Sequence, residues 1–324
     1  MNFRTLTILP TLAALIMAAT TSPAAQLSGD AKASIPRDVQ QLIALDYRAM
    51  ENSPVAMSMR DRLMPPELKT FENSLSNSGL DVSKDVDVLV FAAFTISNSS
   101  TSSTASSSQT HTLGIAQGQF STRAILANFA KQKIKPILLR NNSIYPMSSG
   151  LQVAFLNQTT MVFGDKLAVA AALDARDGLR QSLLNNNDMM DAMNSVDSEA
   201  IWSLLDAKGS QTVLRSLLGD AAGLADFETV KNHLQGASYT MTFSNGVSFK
   251  MDVQTGDPIA AATISTLLQG AVLYKRASGT DVEKQALNNT TVDSSGGVLT
   301  AKYESSDSQF SSLLSSNLFQ TVVK

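Results

Sequence analysis

The sequence predicts an α+β protein: two ferredoxin-like halves in a pseudo-symmetric tandem behind a signal peptide, each half running strand, helix, two strands, helix, strand. Three observations carry that expectation. Residues 1–24 pass from one cation, Arg4, through an apolar stretch from Leu6 to Ala19 into the small-residue exit Ser22-Pro23-Ala24, which is the order of a secretory leader. Between Ser238 and Val253 apolar and polar residues alternate around Asn245-Gly246, as in a hairpin with one buried face and a two-residue turn. The same order of elements then reads twice, with Leu45-Asp46 answered by Leu205-Asp206 and Phe71-Glu72 by Phe227-Glu228.

After the leader, residues 25–34 are expected to be a flexible mature N-terminus, and the first half spans 35–176. Its first strand runs from Asp38 to Asp46, and Ser53-Pro54 opens a helix with Val55, Met59 and Leu63 on one face. Pro65-Pro66 stops that helix, and Leu68, Phe71 and Leu75 keep helical spacing in the next, which Gly79 ends. Strands follow at Asp85 to Phe94 and Thr112 to Phe120. The stretch between them, the Ser/Thr-rich Ser97 to Thr110 (97–110), has nothing to bury and is expected to be a mobile loop. Ser121 caps a helix stapled by Phe120 and Ile125, and strands at Leu151 to Leu156 and Thr160 to Leu173 close the half, turning at Gly164-Asp165.

Residues 177–196, polar and Met-rich, form a helical connection to the second half at 197–324. There Glu199 to Asp206 reads as a strand, with helices at Ser210 to Leu218 and Asp226 to Leu234 before the hairpin. Asp257-Pro258 opens a helix to about Arg276, apolar enough to be buried but interrupted by Thr263, Ser265, Thr266, Gln269 and Gly270, so not a membrane span. A strand from Val298 to Glu304 and a helix from Asp307 complete the series.

Apolar residues make up 44% of the chain, but charged residues only 16%, against about 25% in ordinary domains. The net charge of −3 leaves no basic surplus to neutralise phosphates, so nucleic acid is not an expected partner. The chain contains no Cys, which rules out disulfide staples, a thiolate nucleophile and a lipid-modified Cys. Asn-x-Ser/Thr triplets at Asn98, Asn141, Asn157, Asn288 and Asn289 are chance matches in an Asn- and Ser-rich chain.

No catalytic motif stands out: G-x-S-x-G, S-x-x-K, G-x-x-x-x-G-K and G-x-G-x-x-G are all missing from the sequence. Catalytic residues stay unassigned, and no cofactor or metal is expected. His111 and His233 read as solvated rim residues. Asp81, Asp85 and Asp87 alternate as calcium ligands do, yet Val86 and Ala92 stand where a calcium loop needs Gly and Glu, so they read as the outward face of a strand. Met57, Met59 and Met64, like Met189, Met190 and Met193, lack an accompanying His or Cys and read as core. Asp46 and Asp206 could meet across a pseudo-twofold axis as an acid/base pair, although each is more simply a turn residue.

Ile35-Pro36-Arg37-Asp38 leading into Leu42-Ile43-Ala44-Leu45-Asp46 resembles the opening of exported bacterial proteins of unknown function that carry tandem α+β repeats. The resemblance implies a location and a fold, and no functional residues. The expectation is therefore a periplasmic or secreted protein, cut after Ala24 or Ala25, acting as a non-catalytic binding or interaction module for an envelope protein or a small ligand. Two alternatives are a carrier of an apolar ligand, with Leu267, Leu268 and Val272 lining its pocket, and an enzyme built on a buried carboxylate such as Asp46.

Overall fold

One antiparallel sheet of twelve strands runs through the protein, whose computed structural model describes residues 25–97, 108–147, 150–218 and 231–316. At its centre β1 (Val39–Asp46) lies antiparallel to β8 (Ile201–Asp206), in a register that sets Leu42 opposite Leu204 and Ala44 opposite Trp202. Outward from β1 come β2 (Val86–Ser97), β3 (Ser108–Gly118), β7 (Thr160–Gly164), β6 (Gln152–Phe155), β5 (Asn142–Pro146) and β4 (Ile137–Leu139). Outward from β8 come β9 (Leu234–Thr242), β10 (Val247–Thr255), β12 (Val298–Ser305) and β11 (Thr290–Ser295).

The α+β class thus holds, but the strand order is not that of a split βαβ unit. That arrangement places another strand between the two that a helix connects. Here β1 and β2 are direct antiparallel neighbours, although α2 (Tyr47–Glu51), α3 (Pro54–Leu63), α4 (Pro66–Ser76) and α5 (Val82–Asp85) lie between them in sequence. The second half repeats the first in pairing order: β8-β9-β10-β12-β11 matches β1-β2-β3-β7-β6.

Alternation assigns the two faces of the sheet. Leu42, Ala44, Val90, Ala92, Leu113, Ile115, Val162, Trp202 and Leu204 share one face and one core. That core also takes in residues of α1 (Gly29–Ser34), α7 (Lys166–Arg176) and α8 (Asn187–Asn194). The opposite face carries three clusters: one with α4 and α6 (Thr122–Lys131), one with α9 (Ala207–Leu218) and α10 (Pro258–Ser278), and one with α3 and α12 (Asp307–Leu314). In the outer strands of the second half the first face is polar, with Ser238, Thr240, Lys250 and Asp252 on it. The protein is therefore layered on both sides of the sheet in the first half and on one side at the far end of the second.

Several elements differ from the sequence expectation, each for a physical reason. Residues 25–34, expected to be flexible, contain α1 and bury Leu27, Ala31 and Ser34. Residues 166–173, expected as strand, belong to α7, because Asp165 accepts from the amides of Leu167 and Ala168 and starts a helix buried along most of its length. Leu234 opens β9 rather than ending a helix, and most of the helix expected at 226–234 lies outside the described residues, as do residues 98–107 of the Ser/Thr stretch, whose two ends, Ser97 and 108–110, belong to β2 and β3 and not to a loop. The sequence expectation contains no counterpart of strands β4, β5 and β11 or of helices α2 and α11 (Asp281–Asn288). Helix α10 is half-buried: Ile259, Leu273 and Tyr274 are exposed while Ala260 and Ile264 face the sheet.

The hairpin at 238–253 keeps its alternation but not its two-residue turn. Its apolar positions, Tyr239, Met241, Phe243, Val247, Phe249, Met251 and Val253, are all odd-numbered, and antiparallel partners share a face. Apolar can oppose apolar only across a loop with an odd number of residues. The register obeys this, pairing Met241 with Phe249 and Tyr239 with Met251, and only Gly246 takes a positive φ, 88°. Replacing buried Met251 by Ala should destabilise the protein by about 2–5 kcal/mol in urea unfolding. Exposed Gln254→Ala on the same strand should stay within about 0.5 kcal/mol; equal losses would contradict the register.

Candidate functional site

A partly open apolar cavity of about 50 Å³ lies between α4 and the sheet. The strands supply its floor through residues that alternation places on this face: Leu89 and Phe91 of β2, Ala116 of β3, Met161 and Phe163 of β7. Helix α4 supplies the roof with Leu68, Phe71 and Leu75, spaced to share one side of a helix. Phe71 stacks on Phe163 with ring centroids 4.8 Å apart, and Phe91 meets the same ring edge-on at 6.1 Å. The Phe163 ring lies across Gly114, where a Cβ would come within 2.2 Å of it, so glycine at that position leaves room for this wall.

Charge appears only at the cavity's edge. Arg60, near the end of α3, reaches across to α4, where its Nη2 donates to Glu72 at 2.5 Å, and its Nη1 donates to Asp61 at 3.0 Å. Its guanidinium lies 5.3 Å from the centre of the Tyr47 ring, and its Nε is buried without a partner. Burial lifts the Tyr47 hydroxyl above its ordinary value, with the Arg60 charge acting in the opposite direction. The floor itself is built of apolar side chains only, Leu89, Phe91, Ala116, Met161 and Phe163.

A second polar cluster lies on the other face. His111, expected at the rim, is only 4% exposed on β3, and its Nδ1 donates to Asp165 Oδ2 at 2.8 Å. A carboxylate only accepts, so Nδ1 carries the proton, and Nε2 is buried without a partner. Asp165 therefore ties β3 to the start of α7 while also capping that helix. Burial pushes its carboxyl up, but His111 and the amides of Ala168 and Leu167 outweigh that and hold it below its ordinary 3.8.

Other residues singled out in the sequence are not brought together. Asp46 and Asp206 stand at opposite ends of the β1/β8 ladder, about 20 Å apart at the rise of a strand, so they form no acid/base pair. Each caps the helix after its strand: Asp46 accepts from Ala49 N at 2.9 Å and Asp206 from Gly209 N at 2.7 Å. Burial lifts the Asp206 carboxyl despite the Gly209 and Lys208 amides. Asp81 caps α5, and Asp85 accepts from the Asp81 amide, so these two form a helix turn and not the outward face of a strand. Met59, Met189 and Met193 are core, His233 is exposed, and Leu267 and Leu268 pack against the α10 cluster rather than lining the cavity. Among the described residues no group of three or more His, Asp or Glu is placed to hold a metal ion, and no helix is long and apolar enough to cross a membrane.

No family model matches the chain, and no curated protein does. Two solved structures, crystal forms I and IV of TP0453, are similar in shape. Form I has 11% identity and a TM-score of 0.48, and form IV has 9% and 0.47. Each comparison covers 88% of this chain and 96% of the other. A likeness at this distance transfers no residue role.

The Asp165 geometry generates a pH prediction. A carboxyl held below its unfolded value stabilises the fold above that value and loses the contribution as pH falls through the folded one. The stability difference between the protein and Asp165→Asn should be full at pH 6 and shrink below about pH 4 in urea unfolding. A difference independent of pH would mean that the carboxylate charge plays no part.

Proposed function

We propose that the protein is exported to the periplasm, that residues 1–24 are a leader removed on the way, and that the mature chain is a non-catalytic binding module. Its ligand seats an uncharged apolar end in the cavity under α4. The observation that carries this reading is the cavity's composition: apart from the paired Arg60 and Glu72, every residue lining it is apolar. Its volume of about 50 Å³ exceeds the roughly 10–15 Å³ that one water occupies. It falls well short of room for a whole drug-sized ligand. The fit is to the hydrocarbon end of a larger amphiphile whose remainder stays at the open mouth. Ion pairing of Arg60 with Glu72 leaves little net charge there, which favours a neutral neighbour over an anionic one.

A long-chain alcohol carrying an environment-sensitive dye at its polar end tests the site directly. The chain should bind it, and Ala116→Leu, which fills the cavity from its floor, should weaken binding about tenfold or more while leaving the melting temperature unchanged or higher. Undiminished binding by a folded Ala116→Leu chain would place the alcohol elsewhere and remove the cavity as the site. Export is tested separately by sequencing the N-terminus of the protein from the envelope fraction. A chain that keeps Arg4 has not lost its leader.

A further inference from the structure

Residues 25–28 are held on the sheet by side chains rather than by strand pairing. Trp202 of β8, the sole tryptophan of the chain, is wholly buried, and its indole Nε1 donates to the Ala25 carbonyl at 3.1 Å. Gln117 of β3, 8% exposed, uses both ends of its amide on the same segment. Its Nε2 donates to the Gln26 carbonyl at 2.9 Å, and its Oε1 accepts from the Ser28 amide at 2.6 Å. A carbonyl only accepts and an amide N–H only donates, so these two bonds fix the orientation of Gln117. Leu27 joins the core that contains Trp202, and the Ser28 hydroxyl accepts from Ala31 N to start α1.

We propose that Trp202 and Gln117 form a recognition slot for the processed N-terminus, that the leader is cut between Ala24 and Ala25, and that Ala25 to Ser28 dock as a strap read through its backbone. This rests on the leader reading above. Hydrolysis of the Ala24–Ala25 bond by a leader peptidase consumes one water, leaves a carboxylate on Ala24 and an amine that takes up a proton on Ala25, and keeps the Ala25 carbonyl in the mature chain. Hydrolysis one bond later would carry that carbonyl away as the leader's own carboxylate. The indole N–H, a donor with no accepting alternative of its own, would then be buried without a partner. Only the cut after Ala24, for which Ser22 and Ala24 meet the small-residue rule, completes the slot.

Chains beginning at Ala25 and at Gln26, released from a fusion tag in vitro so that export plays no part, provide the test. The Gln26 chain should melt about 2 °C or more below the Ala25 chain. Its Trp202 fluorescence should be the more readily quenched by acrylamide. In a Trp202→Phe background, which has no N–H to satisfy, at least half of the melting difference should disappear. Equal melting and quenching of the two chains, or an undiminished difference in Trp202→Phe, overturns the slot. Native protein that begins at Gln26 overturns the assigned cut. Native protein that keeps Arg4 sinks the leader reading instead, and the in vitro chains still decide the slot on their own.

Discussion

The ladder between β1 and β8 is the constraint on which the rest of the structure depends. It joins two half-sheets into one, and its register decides which face every other strand presents, because neighbouring strands inherit the alternation through their own pairing. A slip of one residue would place Trp202 opposite Leu45 and Leu204 opposite Ile43 and turn the main core toward the wrong helices. Large side chains on both faces oppose such a slip, since Leu42, Leu204 and Trp202 pack on one side and Leu205 and Ile201 on the other.

Much of the fold was legible because local chemistry marks it. Ser53-Pro54 and Asp257-Pro258 start helices α3 and α10, Gly79 takes the positive φ of a helix end, and the alternating hairpin is a pair of strands. What escaped has identifiable causes. Helix α7 is packed on several sides, so its run of Leu, Ala and Val shows no apolar stripe and resembles a buried strand. Strand β11 reads Thr-Thr-Val-Asp-Ser-Ser, with too few apolar residues to announce a strand. The parity of the hairpin positions did contain the loop length, but the Asn-Gly dipeptide was the louder signal. Strand order is set by long-range pairing, on which a repeated list of elements is silent.

The candidate site was less legible still. Its floor comes from three strands and its roof from one helix, so no window of sequence holds it. Arg60 and Glu72 are close in sequence but lie on different helices, separated by Pro65 and Pro66. Asp165 offered the clearest missed sign, an acid just before a Lys-Leu-Ala run, which marks a helix start as well as a turn. His111 could not be placed at all without knowing that β3 and β7 are neighbours.

Width in this sheet has a bearing on solubility. Twelve strands exceed the usual size of an open sheet, yet a sheet of any width has two borders, and among the described residues one is short, though it exposes Ile137 and Leu138, and the other is polar. One border, β4, is three residues long and follows directly on Lys135 and Pro136, which limits the backbone available to a neighbour. At the other, β11 displays Thr, Asp and Ser, whose hydrophilic side chains offer a neighbouring strand little to bury. By adding its strands in the interior of one ladder, the chain carries a large hydrogen-bonded surface at the same risk of edge-to-edge polymerisation as a sheet half as wide.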